Sequence, residues 1–399
     1  MYADGKPIVE MTDMSVRLTG LTRERVEDLW RGGLPAKHKR ILFDTDRSTE
    51  FAIGKPSRAF GDRYLVFDDE RKIARLPGPP FQFLDRIVSI EHCEPWKLAA
   101  GGVIFAEYDV PPDAWYFTAS RQPHMPFAVL LETALQPCGW LAGYLGSALT
   151  SEIDLSFRNL GGQATQFDHV TPQSGTLSTT VKITAVSQSA GMIIQHFEFD
   201  LRCDGRPVYQ GKTYFGFFSH AALANQVGIR DAAIYQATPD ELSRAETFMV
   251  SHDAPFPSDE FRMIDRVTVF VPEGGPQKLG YIQGQIDVDP AFWFFKAHFY
   301  QDPVWPGSLG LESFLQLMRV YAIKRWGQAD SLHCVSGMAL HAPHEWVYRG
   351  QVIPRDKTVT VDVVITAVDD VNQRVTANGF LTVDGRVIYQ MIDFTMAMG

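Results

Sequence analysis

A histidine and a glutamate at the two ends of one short segment carry the chemistry that this sequence suggests. They bound the segment His298-Phe-Tyr-Gln-Asp302-Pro-Val-Trp-Pro306-Gly307-Ser-Leu-Gly-Leu-Glu312. A neutral imidazole can remove a proton from a weakly acidic carbon, and a protonated carboxyl can give a proton to a leaving group. Burial raises the pKa of a carboxyl, and Glu312 lies within an apolar stretch. The pair therefore predicts general acid–base catalysis.

The segment belongs to the second of two diverged copies of one domain, residues 79–220 and 257–399. Matching residues keep one constant offset along the chain and include Asp85 and Asp265, Pro126 and Pro306, Glu132 and Glu312, Gln136 and Gln316, and Asp204 and Asp384. In place of His298 the first copy has Thr118 or Ser120, depending on where a local gap falls. Two copies in one chain predict a pseudo-dimer in which one copy can specialise.

Each copy is predicted to contain one buried helix and several long strands. After Pro306-Gly307 the apolar residues recur at helical spacing, as Leu311, Phe314, Leu315, Met318 and Ala322. Residues 175–187 and 358–368 alternate as β-strands do. A helix that is apolar nearly all round is buried on most sides. One such helix wrapped by a long antiparallel sheet is the hot-dog architecture, so the predicted class is α+β, a double hot-dog.

Polar residues on the two helices support the acid–base interpretation. Gln136 and Gln316 follow Glu132 and Glu312 by one turn on the same face and could hydrogen-bond the carboxyl. Satisfaction of a buried glutamate by backbone groups is the alternative, but the repeated Glu-x-x-x-Gln pattern favours the acid. Pro137 is expected to kink or end the first helix, which puts the position of Glu132 in question.

Composition excludes several classes of protein. The 399 residues are 45% apolar with a formal charge of −10, which is typical of a globular protein and unlike a binder of nucleic acid or anionic membranes. No apolar run approaches the ~18–20 residues of a membrane span, and no secretion signal begins the chain. The four cysteines are scattered, as in a reduced cytoplasmic protein. His341 and His344, with Pro343 between them and further ligands absent, predict a loop or strand edge and no metal site.

The segments outside the two copies are predicted to be connectors. Asp4-Gly5-Lys6 resembles Asp204-Gly205-Arg206 in the last hairpin of the first copy. Residues 1–20 are therefore expected to be the tail of a preceding hot-dog copy, with a short natural N-terminal strand as the alternative. Residues 21–78 form a connector with a helix expected over 22–31, and residues 221–256 form a second connector.

The segment from His298 to Leu317 resembles the active site of the β-hydroxydecanoyl-acyl-carrier-protein dehydratase family. The pattern that carries this resemblance is His298-Phe-x-x-Asp302-Pro-Val-x-Pro306-Gly307-x-Leu-Gly-Leu-x-x-x-x-Gln316-Leu317. With Met125-Pro126-Phe127 and Leu131-Glu132-Thr-Ala-Leu135-Gln136, residues 79–399 are similar to the tandem dehydratase region of polyunsaturated fatty acid synthases. The prototype has aspartate at the position of Glu312, whereas related hot-dog dehydratases have glutamate.

The resemblance implies a lyase that removes water from a (3R)-3-hydroxyacyl thioester on the phosphopantetheine arm of acyl carrier protein. His298 is implied as the base and the Gly307 N–H as the carbonyl donor. Base and acid come from different protomers in the homodimeric family, so Glu132 is implied as the acid, while Glu312 belongs to a dead site. Pro306 and Asp302 are implied to support the His298 loop. No cofactor is implied, and the implied partners are carrier protein and neighbouring domains of a fatty acid or polyketide-like synthase.

Several alternatives stay open at the level of sequence. A non-catalytic scaffold that binds acyl chains and a hot-dog thioesterase are the rival functions. Chain length, isomerisation of the new double bond and homodimerisation are undetermined. His124 is predicted to pack or to line a tunnel. Arg319, Lys324 and Arg325 are either contacts for an acidic carrier or ordinary charges near a helix C-terminus.

Overall fold

The computed structural model describes residues 2–3, 6–7, 22, 40–189, 191–327 and 336–399. They fall into two compact units, Met1–Arg40 and Ile41–Gly399. In the first unit, β1 (Tyr2–Ala3) pairs antiparallel with β2 (Lys6–Pro7). Most of the remaining N-terminal segment, including the helix expected over 22–31, lies outside the described residues, and the tail of a preceding copy stays a prediction.

The first copy is a curved antiparallel sheet with one long helix against it. Its strands are β3 (Arg86–Glu91), β4 (Val103–Asp109), β5 (Leu155–Gln166), β6 (Thr176–Ser189), β7 (Met192–Cys203) and β8 (Arg206–Ser219). Before it come three short helices, α1 (Thr45–Ala52), α2 (Pro56–Phe60) and α3 (Val66–Asp69). Within it lie α4 (Trp115–Ser120) and the long α5 (Phe127–Tyr144).

The second copy repeats this order after α6 (His220–Ala224), α7 (Pro239–Ser243) and β9 (Glu246–Met249). Its helices are α8 (Phe294–Ala297) and the long α9 (Gly307–Trp326). Its strands are β10 (Arg266–Val271), β11 (Tyr281–Asp287), β12 (Ser336–Met338), β13 (Pro343–Tyr348), β14 (Thr358–Asp369), β15 (Arg374–Val383) and β16 (Arg386–Met398).

The two sheets join into one 14-stranded sheet, ordered β3-β4-β6-β7-β8-β5-β13-β16-β15-β14-β11-β10-β9, with β12 paired to β16. The seam is the antiparallel pair β5–β13, which runs from Pro343 opposite Thr165 to Val347 opposite Gly161. The predicted double hot-dog is thus confirmed. No helix within the described residues combines the length and apolar character needed to span a membrane.

Both long helices are buried almost completely, as their apolar composition predicts. Pro137 lies inside α5, and the helix continues beyond it to Tyr144. Of the two outcomes predicted for this proline, an end of the helix is therefore wrong, and a kink stays a prediction. Proline removes one backbone N–H from the helix, a cost of ~3 kcal/mol. We attribute the continuation of the helix to the apolar side chains that it buries on both sides of this position.

The connector before the first copy packs on α5. A side chain at Gly143 would collide with the rings of Phe51 and Phe60, and the Tyr64 hydroxyl donates a hydrogen bond to the Gly143 carbonyl oxygen. Residues 41–78 therefore belong to the same compact unit as the two hot-dog copies.

The seam between β5 and β13 generates a stability prediction. A Cβ atom at Gly162 would lie 2.4 Å from Trp346 Cζ2 and 2.6 Å from the Lys212 carbonyl oxygen. Gly162→Val should therefore lower the free energy of unfolding by about 1–3 kcal/mol through overpacking, measured by urea titration. Ser187→Val, on an exposed position of β6, is the control and should stay within about 0.5 kcal/mol of the wild-type protein. Equal effects of the two substitutions would contradict the packing of the seam.

Candidate active site

One cavity receives residues from both copies. It contains about 690 Å³ of empty space, including the part that is open to solvent. Glu132 of α5 lines it together with His298 and Gly307 of the second copy. The other lining residues are Arg75, Leu76, Pro77, Leu135, Gln136, Gly139, Phe157, Arg158, Asn159, Phe215, Phe299, Val304, Trp305, Ser308, Tyr348, Gly350, Gln351 and Tyr389. Glu312 lines a different cavity.

His298 follows α8 and is held by its own loop. Its backbone N–H donates to the Phe294 oxygen at 2.8 Å, and its carbonyl accepts from Val304 N at 2.8 Å. Its ring Nδ1 lies 3.1 Å from the Val304 carbonyl oxygen. Since a carbonyl only accepts, Nδ1 carries the proton and Nε2 keeps a free lone pair. Burial lowers the pKa of His298 to about 3, so the imidazole is uncharged near neutral pH.

Glu132 is buried, and both of its carboxyl oxygens are hydrogen-bonded. Gln136 Nε2 donates to Oε2 at 3.0 Å, and Ser308 Oγ bonds Oε1 at 2.7 Å. The orientation of the Gln136 amide is fixed because its Oε1 accepts from Phe83 N and its Nε2 also donates to the Phe81 oxygen. An amide nitrogen only donates, whereas a hydroxyl can donate or accept, so a carboxyl proton belongs on Oε1. Burial raises the pKa of Glu132 and favours this protonated form.

Gly307 is the first residue of α9, after Pro306 at the N-cap. The helix does not use the N–H of its first residue, and the helix dipole is positive at this end. A side chain at Gly307 would collide with the ring of Tyr348, which closes the space beside it. Among the described residues, neither the Tyr348 hydroxyl nor Trp305 Nε1 has a hydrogen-bond partner, although both side chains line the cavity.

Asp302 connects the His298 loop to the first copy. Its carboxylate pairs with Arg158 of β5, with Oδ2 2.8 Å from Nη1 and Oδ1 2.9 Å from Nη2. Arg158 Nε also donates to Gln351 Oε1 at 2.5 Å. The Arg158 guanidinium lowers the pKa of Asp302 even though burial opposes this. A mostly buried, bidentate ion pair of this kind fixes the geometry between the two copies at the histidine.

Equivalent backbone hydrogen bonds in the two copies identify the first-copy residue that corresponds to His298. Gly78 N donates to the Ala297 oxygen at 2.8 Å, and Ser258 N, at the position of Gly78 in the second copy, donates to the Ala119 oxygen at 2.9 Å. Ala119 therefore corresponds to Ala297. Of the two residues that the sequence left open, Ser120 occupies the position of the histidine.

The second cavity surrounds Glu312 and has a different chemistry. Gln122, His124, His169 and Arg319 line it, and the rings of His124 and His169 stack at 4.5 Å. Burial raises the pKa of Glu312 to about 7. Its Oε2 has no hydrogen-bond partner among the described residues.

The support around Gln316 is nevertheless the same as around Gln136. Gln316 Oε1 accepts from Met263 N at 2.9 Å, and its Nε2 donates to the Phe261 oxygen at 2.9 Å. Ala128 is the first-copy counterpart of Ser308, so the second cavity lacks the hydroxyl that bonds Glu132. Each copy therefore keeps the glutamate and its glutamine, and the hydroxyl is present at only one of the two glutamates.

The three basic residues near the end of α9 contact other residues of the protein. Arg319 is buried, with Nη1 3.5 Å from the Pro255 oxygen. Lys324 pairs with Glu246 and Arg325 with Asp370. Lys324 and Arg325 therefore fit the prediction of ordinary charges near a helix C-terminus. Arg319 instead lines the cavity around Glu312.

Sequence reasoning missed Ser308, Arg158 and Gly139. A comparison of the two copies could have found them, because each residue differs in type from its counterpart. The counterpart of Ser308 is Ala128, that of Arg158 is Met338 and that of Gly139 is Arg319. Within the described residues no group of three or more His, Cys, Asp or Glu side chains could hold a metal. His344 Nε2 instead lies 2.9 Å from the Tyr209 hydroxyl.

A family model of the FabA-like domain matches residues 76–212 and again 256–392. The chain therefore belongs to the FabA-like domain family, in a tandem arrangement. It is 32% identical over 389 residues to a polyunsaturated fatty acid synthase subunit of Thraustochytrium sp., an alignment that covers 86% of this chain and 25% of that protein. The resemblance found at His298 to Leu317 is thus confirmed, and the chain spans about a quarter of this relative.

Solved structures with a similar fold include thioesterases and dehydratases. A putative oleoyl thioesterase from Lactobacillus plantarum is 10% identical with a TM-score of 0.47, covering 75% of this chain and 98% of that one. The dehydratase domain from the CurJ module of curacin polyketide synthase is 13% identical with a TM-score of 0.42, covering 78% and 96%.

Glu312 generates a prediction about pH and stability. Its pKa rises from 4.5 to about 7 on folding, so the folded protein holds this proton more tightly than the unfolded chain. This proton therefore adds to the free energy of unfolding. The contribution is fully present below about pH 4.5 and is lost as pH rises through 7. The glutamine of Glu312→Gln cannot ionise, so this variant does not lose the contribution. The free energy of unfolding of the variant minus that of the wild-type protein should therefore increase by about 2–3 kcal/mol between pH 5 and pH 8.

Urea titrations at the two pH values measure this difference. Glu345→Gln, at an exposed position of β13, is the control. A Glu312→Gln difference that stays constant between pH 5 and pH 8 would contradict a buried, proton-binding Glu312.

Proposed function

We propose that this chain is a dehydratase that eliminates water from a 3-hydroxyacyl thioester carried by acyl carrier protein. The observation that carries the proposal is that a neutral imidazole and a carboxyl with a raised pKa line one buried cavity, one from each copy. Elimination of water needs such a base and such an acid at one substrate. Membership of the FabA-like family and similarity to a polyunsaturated fatty acid synthase subunit support the same reaction.

His298 acts as the base. Its Nδ1 proton is donated to the Val304 oxygen, so Nε2 is the atom that takes the C2 proton of the thioester. The imidazolium that forms is stabilised by the same hydrogen bond to the Val304 carbonyl oxygen. The Arg158–Asp302 ion pair holds this loop in place.

Glu132 acts as the acid. Its Oε1 gives a proton to the departing C3 hydroxyl, and the C3–O bond breaks to release water as the C2–C3 double bond forms. Gln136 and Ser308 then stabilise the carboxylate, since both can donate a hydrogen bond to it. The proton that His298 has taken restores the acid when product leaves, so no net proton is consumed.

The thioester carbonyl gains negative charge as the C2 proton leaves. The Gly307 N–H at the positive end of α9 is the donor for this oxygen. The Tyr348 hydroxyl and Trp305 Nε1 are further donors in the same cavity. We place the natural substrate on the phosphopantetheine arm of a carrier protein, within a larger cytoplasmic synthase whose other domains supply the 3-hydroxyacyl group.

The direct test is to incubate the protein with 3-hydroxyacyl carrier protein, or with its pantetheine analogue, and to follow the mass of the acyl group. Loss of one water supports the dehydratase. An unchanged mass would instead indicate an acyl-binding scaffold, and release of free acid would indicate a thioesterase.

His298→Ala should abolish most of this activity. A positioned general base contributes ~10²–10⁴-fold to rate, so the loss of kcat should be of this order while the thermal unfolding midpoint changes little. The assay is the rate of water loss with purified variant, alongside circular dichroism to establish folding. Near-normal turnover by the folded variant would exclude the role of His298.

The two glutamates provide a matched pair of variants. Glu132→Gln keeps the size of the side chain but removes the transferable proton, so it should cost nearly as much turnover as His298→Ala, because acid and base act as a unit. Glu312→Gln makes the same change in the other cavity and should alter kcat less than about twofold. If Glu312→Gln is the inactive variant and Glu132→Gln the active one, the acid has been assigned to the wrong copy.

A further inference from the structure

We infer that Gly139 and Leu76, which pack against each other, together set the depth of the groove that receives the acyl chain. The inference rests on the proposed function for the identity of the ligand, an acyl thioester. It concerns a feature that distinguishes the two copies beyond the missing histidine, namely the space along each buried helix.

The catalytic cavity extends along one face of α5. Glu132, Leu135, Gln136 and Gly139 follow at the i, i+3, i+4 and i+7 positions of the helix, and all four line the cavity. Two turns of helix span about 10 Å. The cavity therefore continues for this distance beyond the acid.

Several residues that line the cavity are apolar. Phe157 and Phe215 stack with ring centroids 4.6 Å apart, and both line the cavity with Leu76 and Leu135. These apolar residues suit a hydrocarbon chain, because the transfer of each methylene group from water is favourable. His298, Glu132 and Ser308 line the same cavity.

Gly139 lets two of these wall residues lie close to the helix. A Cβ atom there would lie 3.1 Å from Leu76 Cδ2 and 3.4 Å from Phe157 Cε1. Glycine is unfavourable inside a helix relative to alanine. A methyl group at this position would therefore displace Leu76, which bounds the cavity on the side of the connector, from its place against the helix.

The connector that carries Leu76 is fixed at both ends. Gly78 N donates to the Ala297 oxygen at 2.8 Å, next to His298 in the chain. Arg75 Nη1 donates to the Gly54 oxygen at 2.9 Å, and its guanidinium lies 5.4 Å from the centre of the Tyr300 ring. Leu76 is thus held between the catalytic loop and the short helices, as the end wall of a groove should be.

The second copy has the opposite arrangement. Arg319 is the counterpart of Gly139 and occupies the same place on α9, two turns after Glu312. It is buried and lines the cavity around Glu312, which has about 410 Å³ of empty space against 690 Å³ in the first. A long cationic side chain thus stands on the helix that lines the cavity without a histidine, whereas glycine stands at that place on the helix that lines the cavity with His298.

The experiment measures binding and turnover separately across a chain-length series. Unreactive amide analogues of acyl pantetheine, from butanoyl to hexadecanoyl, are titrated into the full chain by calorimetry. The matching 3-hydroxyacyl thioesters are assayed for water loss. Gly139→Ala should weaken binding of the longest analogues by about 10- to 100-fold while leaving the shortest within twofold, because the added methyl overpacks only the far part of the groove.

Leu76→Ala should have the opposite effect and strengthen binding of the longest analogues. The double variant should recover the wild-type dependence of binding on chain length. Arg319→Met, at the matching position of the other copy, is the control and should leave the profile unchanged. Equal weakening of short and long analogues by Gly139→Ala, or no strengthening of the longest analogues by Leu76→Ala, overturns the inference. Absence of water loss with an intact chain-length profile would overturn the proposed reaction instead, and the groove would stand.

Discussion

The antiparallel pairing of β5 with β13 is the interaction on which the cavity between Glu132 and His298 depends. It joins two sheets that would each have an exposed edge and makes them one. It also sets the two buried helices so that Glu132 of the first copy and Ser308 of the second are within 2.7 Å. Gly161 and Gly162 permit this pairing, because a side chain at either would meet Trp346. Glu132 and His298, which belong to different copies, line one cavity as a result of this seam.

Burial of a carboxyl is costly, and the two copies treat the same glutamate differently. Glu132 has both oxygens bonded, by Gln136 and Ser308, whereas Glu312 keeps one oxygen without a partner among the described residues. Desolvation raises the pKa of both groups. A protonated carboxyl with partners that can also stabilise its anion suits proton transfer. Glu312 instead lies in a cavity that Arg319 also lines.

The asymmetry of the pseudo-dimer extends well beyond one histidine. Five positions in or beside the catalytic cavity differ from their counterparts in the other copy: His298 and Ser120, Asp302 and Gln122, Arg158 and Met338, Ser308 and Ala128, Gly139 and Arg319. His298, the ion pair that holds its loop, the hydroxyl bonded to Glu132 and the glycine on the helix are all found at one cavity. Duplication permits such a set, since a second cavity that only needs to pack can lose each of these features.

The sequence by itself determined the repeat, the buried helices, the double hot-dog and the motif around His298, because these depend on local periodicity and on contiguous residues. The expectation that Glu132 meets His298 came from the resemblance to a homodimeric family, whose base and acid come from different protomers. Only the tertiary structure decided that α5 continues through Pro137, that Ser120 replaces the histidine and that Ser308, Arg158 and Leu76 complete the cavity. Those outcomes depend on contacts between residues such as Arg158 and Asp302, which are far apart in the chain, and on packing energies that no local pattern contains.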